Sequence, residues 1–136
     1  MIKIGVLFVL LTMLAACGNR GRTKASKPDK ASEASFEMDS EMFDLGDIKY
    51  GEIVGKKIRF ANNGSDYLQI FEIESGCACT TVECRQKMLL PGSTGTLNVI
   101  FDTKGLRGRQ FKTILIRTNC GREPKRLSFS ANIINE

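Results

Sequence analysis

From residue 36 onward, no stretch of a dozen residues sets apolar side chains at helical spacing. Short β-prone runs recur instead, broken by Gly, Asn and Pro about every ten residues. That rhythm confines the chain to an all-β fold. The runs cover residues 36–38, 42–45, 53–61, 67–73, 87–90, 96–101, 111–118 and 126–134. Ile58 and Phe60 oppose Lys57 and Arg59; Leu97, Val99 and Phe101 share one face, as do Leu127, Phe129, Ala131 and Ile133. Ile114 and Ile116 oppose Leu115, as expected of a strand covered on both sides. Pro91-Gly92 is a turn pair, Pro fixing φ and Gly free to take a positive value. About seven strands of this kind fit two antiparallel sheets packed face to face.

The 136 residues suit one domain, and 42% hydrophobic with 26% charged residues is an ordinary globular balance. There is no His and no Trp. Without His, the chain cannot build a Ser-His or Cys-His nucleophile, a two-His zinc motif or a His-ligated haem. Most familiar hydrolase chemistry is excluded on that ground.

Residues 1–16 carry Lys3 and then an apolar run from Ile4 to Leu14, the pattern of an export signal. The run is about half the roughly 20 residues needed to span a bilayer. Leu14-Ala15-Ala16-Cys17 resembles a bacterial lipobox, which implies cleavage before Cys17 and acylation of its sulfur and amine. Two or three acyl chains, at about 0.8 kcal/mol per buried CH₂, would make attachment effectively permanent. Gly18-Asn19 follows where enteric sorting signals place Asp to retain a protein at the inner membrane. The resemblance therefore implies an outer-membrane anchor, and the lack of an acidic cluster after Cys17 favours a periplasm-facing position.

Residues 17–35 read as a lipidated Cys followed by a flexible tether, rich in Gly, Ser, Ala, Lys and Arg. Arg20, Arg22, Lys24, Lys27 and Lys30 against Asp29 give residues 18–30 a net charge of +4, while residues 31–136 balance to zero. The sequence pI of about 9.1 thus belongs to the tether. Because this charge lies next to the lipid attachment point, anionic lipid head groups are its nearest expected partner and no nucleic-acid role is expected. Within the domain, residues 33–52 are mostly acidic and residues 101–126 mostly basic, which reads either as a solvated surface or as two oppositely charged faces.

Phe60-Ala61-Asn62-Asn63-Gly64, Leu68 and Ile70, Cys77-Ala78-Cys79-Thr80, Pro91-Gly92, Gly95, Val99, Phe101, Gly108, Phe111, Lys112, Ile114, Ile116, Thr118 and Asn119 together resemble the bacterial domain of unknown function 1573. The likeness covers residues 36–134 and implies an immunoglobulin-like sandwich of exported proteins and lipoproteins, related to pilus-chaperone-like and cilium-associated domains. Ala78 stands where Gly is usual in the family, and Tyr67 where Pro is common. The family implies no catalytic residue. Residues 36–136 are accordingly assigned to one such domain.

Four cysteines remain once Cys17 is given to lipid: Cys77, Cys79, Cys84 and Cys120. An even number in an exported chain favours disulfides, with three connectivities open. If residues 77–80 are extended, Cys77 and Cys79 share a face and a bond between them would be strained. The expected pairs are then Cys77 with Cys120 and Cys79 with Cys84, the longer loop of about 43 residues adding about 4 kcal/mol. The sharper alternative is a thiol/disulfide or Cu(I)/Zn(II)-handling site built on Cys77 and Cys79, with Met88 as a nearby thioether. Redox catalysis has less support, since Cys-x-x-Cys is absent and only Arg85 stands beside Cys84 to lower a thiol pKa.

Glu72 and Glu74 share a strand face and read as solvated acids. Arg107 and Arg109 flank Gly108 at a turn that is a candidate contact for an anionic glycan or lipid. The favoured expectation is a lipid-anchored, non-catalytic envelope protein with no cofactor and no metal. It would bind or assemble an envelope protein or glycan.

Overall fold

The computed structural model describes residues 33–135. The expected signal peptide, the expected lipidation site Cys17 and nearly all of the expected tether lie outside them. Nine strands form: β1 Glu37–Met38, β2 Met42–Lys49, β3 Ile53–Ala61, β4 Leu68–Glu74, β5 Thr80–Cys84, β6 Met88–Leu89, β7 Thr94–Asp102, β8 Gly108–Thr118 and β9 Lys125–Ile134. They make two sheets, one ordered β1-β3-β7-β5 and the other β2-β9-β8-β4-β6.

The expected runs reappear with small shifts, and 53–61 is β3 to the residue. Two elements differ. Thr80–Cys84, unassigned from sequence, is an edge strand against β7, with Thr80 opposite Phe101 and Cys84 opposite Leu97. β2 continues through Gly46, which at φ +70° sits in a bulge between Asp44 and Asp47. β2 also pairs parallel with β9, whereas every other pairing is antiparallel. The chain does not reverse between β1 and β2: it crosses from one sheet to the other while keeping its direction, so it meets β9 running the same way.

Alternation places the core where the sequence puts it. Leu97, Val99 and Phe101 from β7 meet Leu127, Phe129, Ala131 and Ile133 from β9, all buried. Each such side chain contributes about 1.5–3 kcal/mol on full burial. Phe101 and Phe129 join the sheets edge to face with centroids 5.1 Å apart, and Phe43 stacks on Phe129 at 5.3 Å. Gly95 lies beneath the Phe60 ring, where a Cβ would be 2.5 Å from Cζ.

Candidate functional site

Strand direction sorts the connections to two ends of the sandwich. At one end lie the β3–β4 loop, the β5–β6 and β6–β7 connections and the β8–β9 loop. At the other lie the β2–β3, β4–β5 and β7–β8 connections. A buried polar side chain organises each end.

Asn62 holds the first end. Its Oδ1 accepts from the Ser35 and Gly64 N–H groups, both at 3.1 Å, and its Nδ2 donates to the Asp66 and Leu89 carbonyls at 2.8 and 3.1 Å. Its own N–H donates to Ser93 O, and its carbonyl accepts from Gly92 N–H. One fully buried amide thus ties the incoming chain, the β3–β4 loop, β6 and the Pro91-Gly92 turn together with no polar atom unpaired. In the sequence Asn62-Asn63-Gly64 follows the 53–61 run and belongs to the family-like pattern, with no role for the Asn62 side chain legible there. The available signal was an Asn at a strand end followed two residues later by Gly.

Thr103 holds the second end. Its Oγ1 sits 3.1 Å from Lys49 O and 2.9 Å from Glu52 O, and its N–H donates to Glu52 O. The β4–β5 connection lies beside it, with Asp102 N–H donating to Cys79 O at 2.9 Å.

The expected disulfide pairs do not form. Cys77 is bonded to Cys79, and Cys84 and Cys120 are free. Two features of the backbone explain this. Residues 77–79 are a turn and not extended: Thr80 N–H donates to Cys77 O at 3.1 Å, and the two Cα atoms come within 5.2 Å, inside disulfide range. Cys79 also precedes β5 while Cys84 ends it, a separation of about 17 Å along an extended strand. Cys120, in the β8–β9 loop, lies at the first end with Cys84, away from Cys77. A four-thiolate site is therefore not assembled, and among the described residues no group of three or more His, Cys, Asp or Glu converges as metal ligands. The Cys84 thiol donates to Gln86 O at 3.3 Å. Burial pushes its pKa up, against the smaller lowering effects of a backbone hydrogen bond from Gln86 and of Lys87.

Arg107 and Arg109 also separate. Arg107 is exposed in the β7–β8 connection, its carbonyl accepting from Gln110 Nε2 at 2.8 Å. Arg109 lies within β8 opposite Asn132 and shares a shallow depression on the second sheet with Asp44, Asp47 and Asn132. The Asp44 carboxyl is held below its usual pKa by the Gly46 N–H first, then by the Ser130 hydroxyl, with a smaller contribution from Arg109. Acidic β2 and basic β8 thus place opposite charges together here. Glu72 and Glu74 share one cation, Arg117, whose Nε lies 3.3 and 3.7 Å from their carboxylate oxygens. All three side chains are about half exposed, so these contacts add little stability.

Two sheets with this strand order, a strand that changes sheets and loops gathered at both ends define an immunoglobulin-like sandwich. The PapD-like domain 7 of human CEP192 has the same fold at TM-score 0.60 and 14% identity, over 88% of this chain and 99% of that domain. Sequence then places the chain in a family: residues 36–133 match the protein of unknown function family DUF1573, and the chain belongs to it. A protein of unknown function from Porphyromonas gingivalis W83 superposes at TM-score 0.66 with 20% identity over 75% of this chain. The Vibrio cholerae VesB protease does so at 0.56 with 14% identity over 74%. The chain spans 48% of the first of these and 31% of the second, so the likeness is one of fold. No protein among the curated sequences matches the chain.

Proposed function

We propose that the protein is a lipid-anchored component of the bacterial cell envelope whose immunoglobulin-like domain is a non-catalytic binding or assembly module. It is held at the outer membrane through Cys17, faces the periplasm, and takes an envelope protein or glycan as partner. One arrangement carries the reading. The chain leading from the lipobox is fixed at one end of the sandwich by Asn62 and Ser65, while the loops bearing Cys77–Cys79, Lys104 and Arg107 stand at the other. A module so mounted presents its far loops away from its attachment. β5, an edge strand with one side unpaired among the described strands, offers a second docking mode by strand addition.

The test is Cys17→Ser. The wild-type chain is expected to incorporate labelled fatty acid and fractionate with outer membranes; the variant is expected to lose the label and leave the membrane fraction. An unlabelled wild-type chain in the cytosol would reject the proposal.

A second reading, thiol exchange or Cu(I) binding at Cys77 and Cys79, is favoured by the separation of two in their bond. A ring that small restricts the unfolded chain far less than the 43-residue loop would, so stapling is a weak reason for the pair. Mild reduction followed by Cu(I) titration tests it: one equivalent bound by the wild type and none by Cys77→Ser supports this reading, and equal uptake by both rejects it.

A further inference from the structure

The described chain begins at Glu33, beside the β3–β4 loop. The Glu33 carbonyl accepts from Ser65 and Asp66 N–H at 2.9 and 3.4 Å, and its N–H donates to Ser65 Oγ at 3.2 Å. The next loop residue is Tyr67. β4 and β6 pair Leu68 with Leu89, both turned into the core, so their neighbours Tyr67, Leu90 and Met88 project outward. Tyr67 is 45% exposed, Met88 60% and Leu90 67%. Gln69, opposite Met88, lies among them, and the bulge after Ile70 leaves exposed Phe71 to lengthen the strip.

Charge at this end is mixed. Arg85, Lys87 and Arg122 are exposed, the first two beside β6 and the third just past the depression formed by Glu33, Asp66 and Asn119 to Gly121. Of the acids, Asp66 accepts the Tyr67 N–H at 2.7 Å and Glu37 accepts from Ser35 Oγ and Asn63 Nδ2 at 3.1 and 2.7 Å, while Glu33, Glu83 and Glu123 are also exposed.

We propose that this end of the sandwich is a membrane-contact surface. Tyr67, Met88 and Leu90 enter the interfacial layer of the bilayer that holds the acyl chains, and Arg85, Lys87 and Arg122 lie against its anionic head groups. The proposal rests on the reading of Cys17 as the lipid anchor. Read as a tether, the 15 residues between Cys17 and Glu33 would span about 20–23 Å on average. They therefore confine this end, and not the Arg107 end, to the neighbourhood of the lipid. A tyrosine beside aliphatic side chains and flanked by Lys and Arg suits the boundary between head groups and hydrocarbon. Tethering raises the local concentration so far that a weak contact suffices.

The absence of Trp from the chain makes the test direct. Leu90→Trp and Ile53→Trp each introduce a single fluorophore at a site 67% exposed, Ile53 being on the other sheet at the opposite end. The full lipidated protein is reconstituted into phosphatidylethanolamine–phosphatidylglycerol vesicles containing brominated phosphatidylcholine. Emission from Leu90→Trp is expected to fall roughly twofold and shift to the blue, with Ile53→Trp unchanged. If the N-terminal peptide carries acyl chains yet Leu90→Trp is unquenched, or is quenched no more than Ile53→Trp, membrane contact is overturned while the anchor stands. An N-terminal peptide without acyl chains removes the anchor and this proposal with it. A concentration-dependent blue shift of Leu90→Trp in vesicle-free protein carrying Cys17→Ser assigns the surface to a second copy of the chain and overturns the proposal.

Discussion

A Cβ placed on Gly64 would lie 2.6 Å from the backbone nitrogen of Ser35, and the Glu33 carbonyl oxygen is closer still. The incoming chain can cross the β3–β4 loop only where that loop has no side chain. Gly64→Ala is therefore expected to lift residues 33–35 and weaken their bonds to Asn62, Ser65 and Asp66, at about 1–3 kcal/mol. Amide exchange at Ser65 and Asp66 should accelerate, while exchange in β7 and β9 changes only by the global loss. Unchanged protection at Ser65 would contradict this account of the crossing.

Gly95 and Phe60 make a second close approach. Gly95→Ala should destabilise the domain by about 1–3 kcal/mol through overpacking against the Phe60 ring, read by urea denaturation. Adding Phe60→Leu should recover part of that loss, so the double variant is less destabilised than the sum of the two singles. Strict additivity would place the strain elsewhere.

Acid should release one identifiable interaction. The Asp44 carboxyl is depressed in the fold, so its contribution is present above the ordinary Asp pKa of 3.8 and disappears as pH falls through the lower folded value. Asp44→Asn should flatten the stability–pH curve below the ordinary Asp pKa of 3.8 and leave the slope above pH 5 unchanged. An NMR titration of Asp44 checks the direction independently: its midpoint should lie below that of an unstructured Asp.

Thiol counting separates the four cysteines of the domain. Non-reducing alkylation should modify Cys84 and Cys120 and spare Cys77 and Cys79, with mass spectrometry locating the bond within residues 77–79. Because burial raises the Cys84 pKa, its alkylation rate should continue to climb with pH beyond the ordinary cysteine value of 9.0. A peptide linking Cys77 to Cys120 would restore the long loop expected from spacing.

What could be read from sequence was the periodic part. Leu97, Val99 and Phe101, or Leu127 through Ile133, announce their strands because each buries one face against the other sheet. β5 was silent because an edge strand of Thr, Thr, Val, Glu and Cys buries little and has one partner. The cysteine pairing depended on which end of the sandwich each loop reaches, a property of chain direction that spacing does not carry. Gly64 could be named from sequence but not explained, for a related reason: its requirement comes from a distant segment crossing over it and not from an unusual backbone angle of its own. The parallel pairing of β2 with β9 was equally hidden, since alternation marks a strand's faces and says nothing of its partner's direction.

The route of the polypeptide through the sandwich has a mechanical corollary. Residue 33 comes in beside Ser65, and β9 runs out at Ile134 from the opposite pole. Tension applied between those two points would be borne along the strand axes, loading in shear the ladders that hold β9 to β2 and to β8, and not peeling their rungs singly. Units of this design joined head to tail would make a stretched rod.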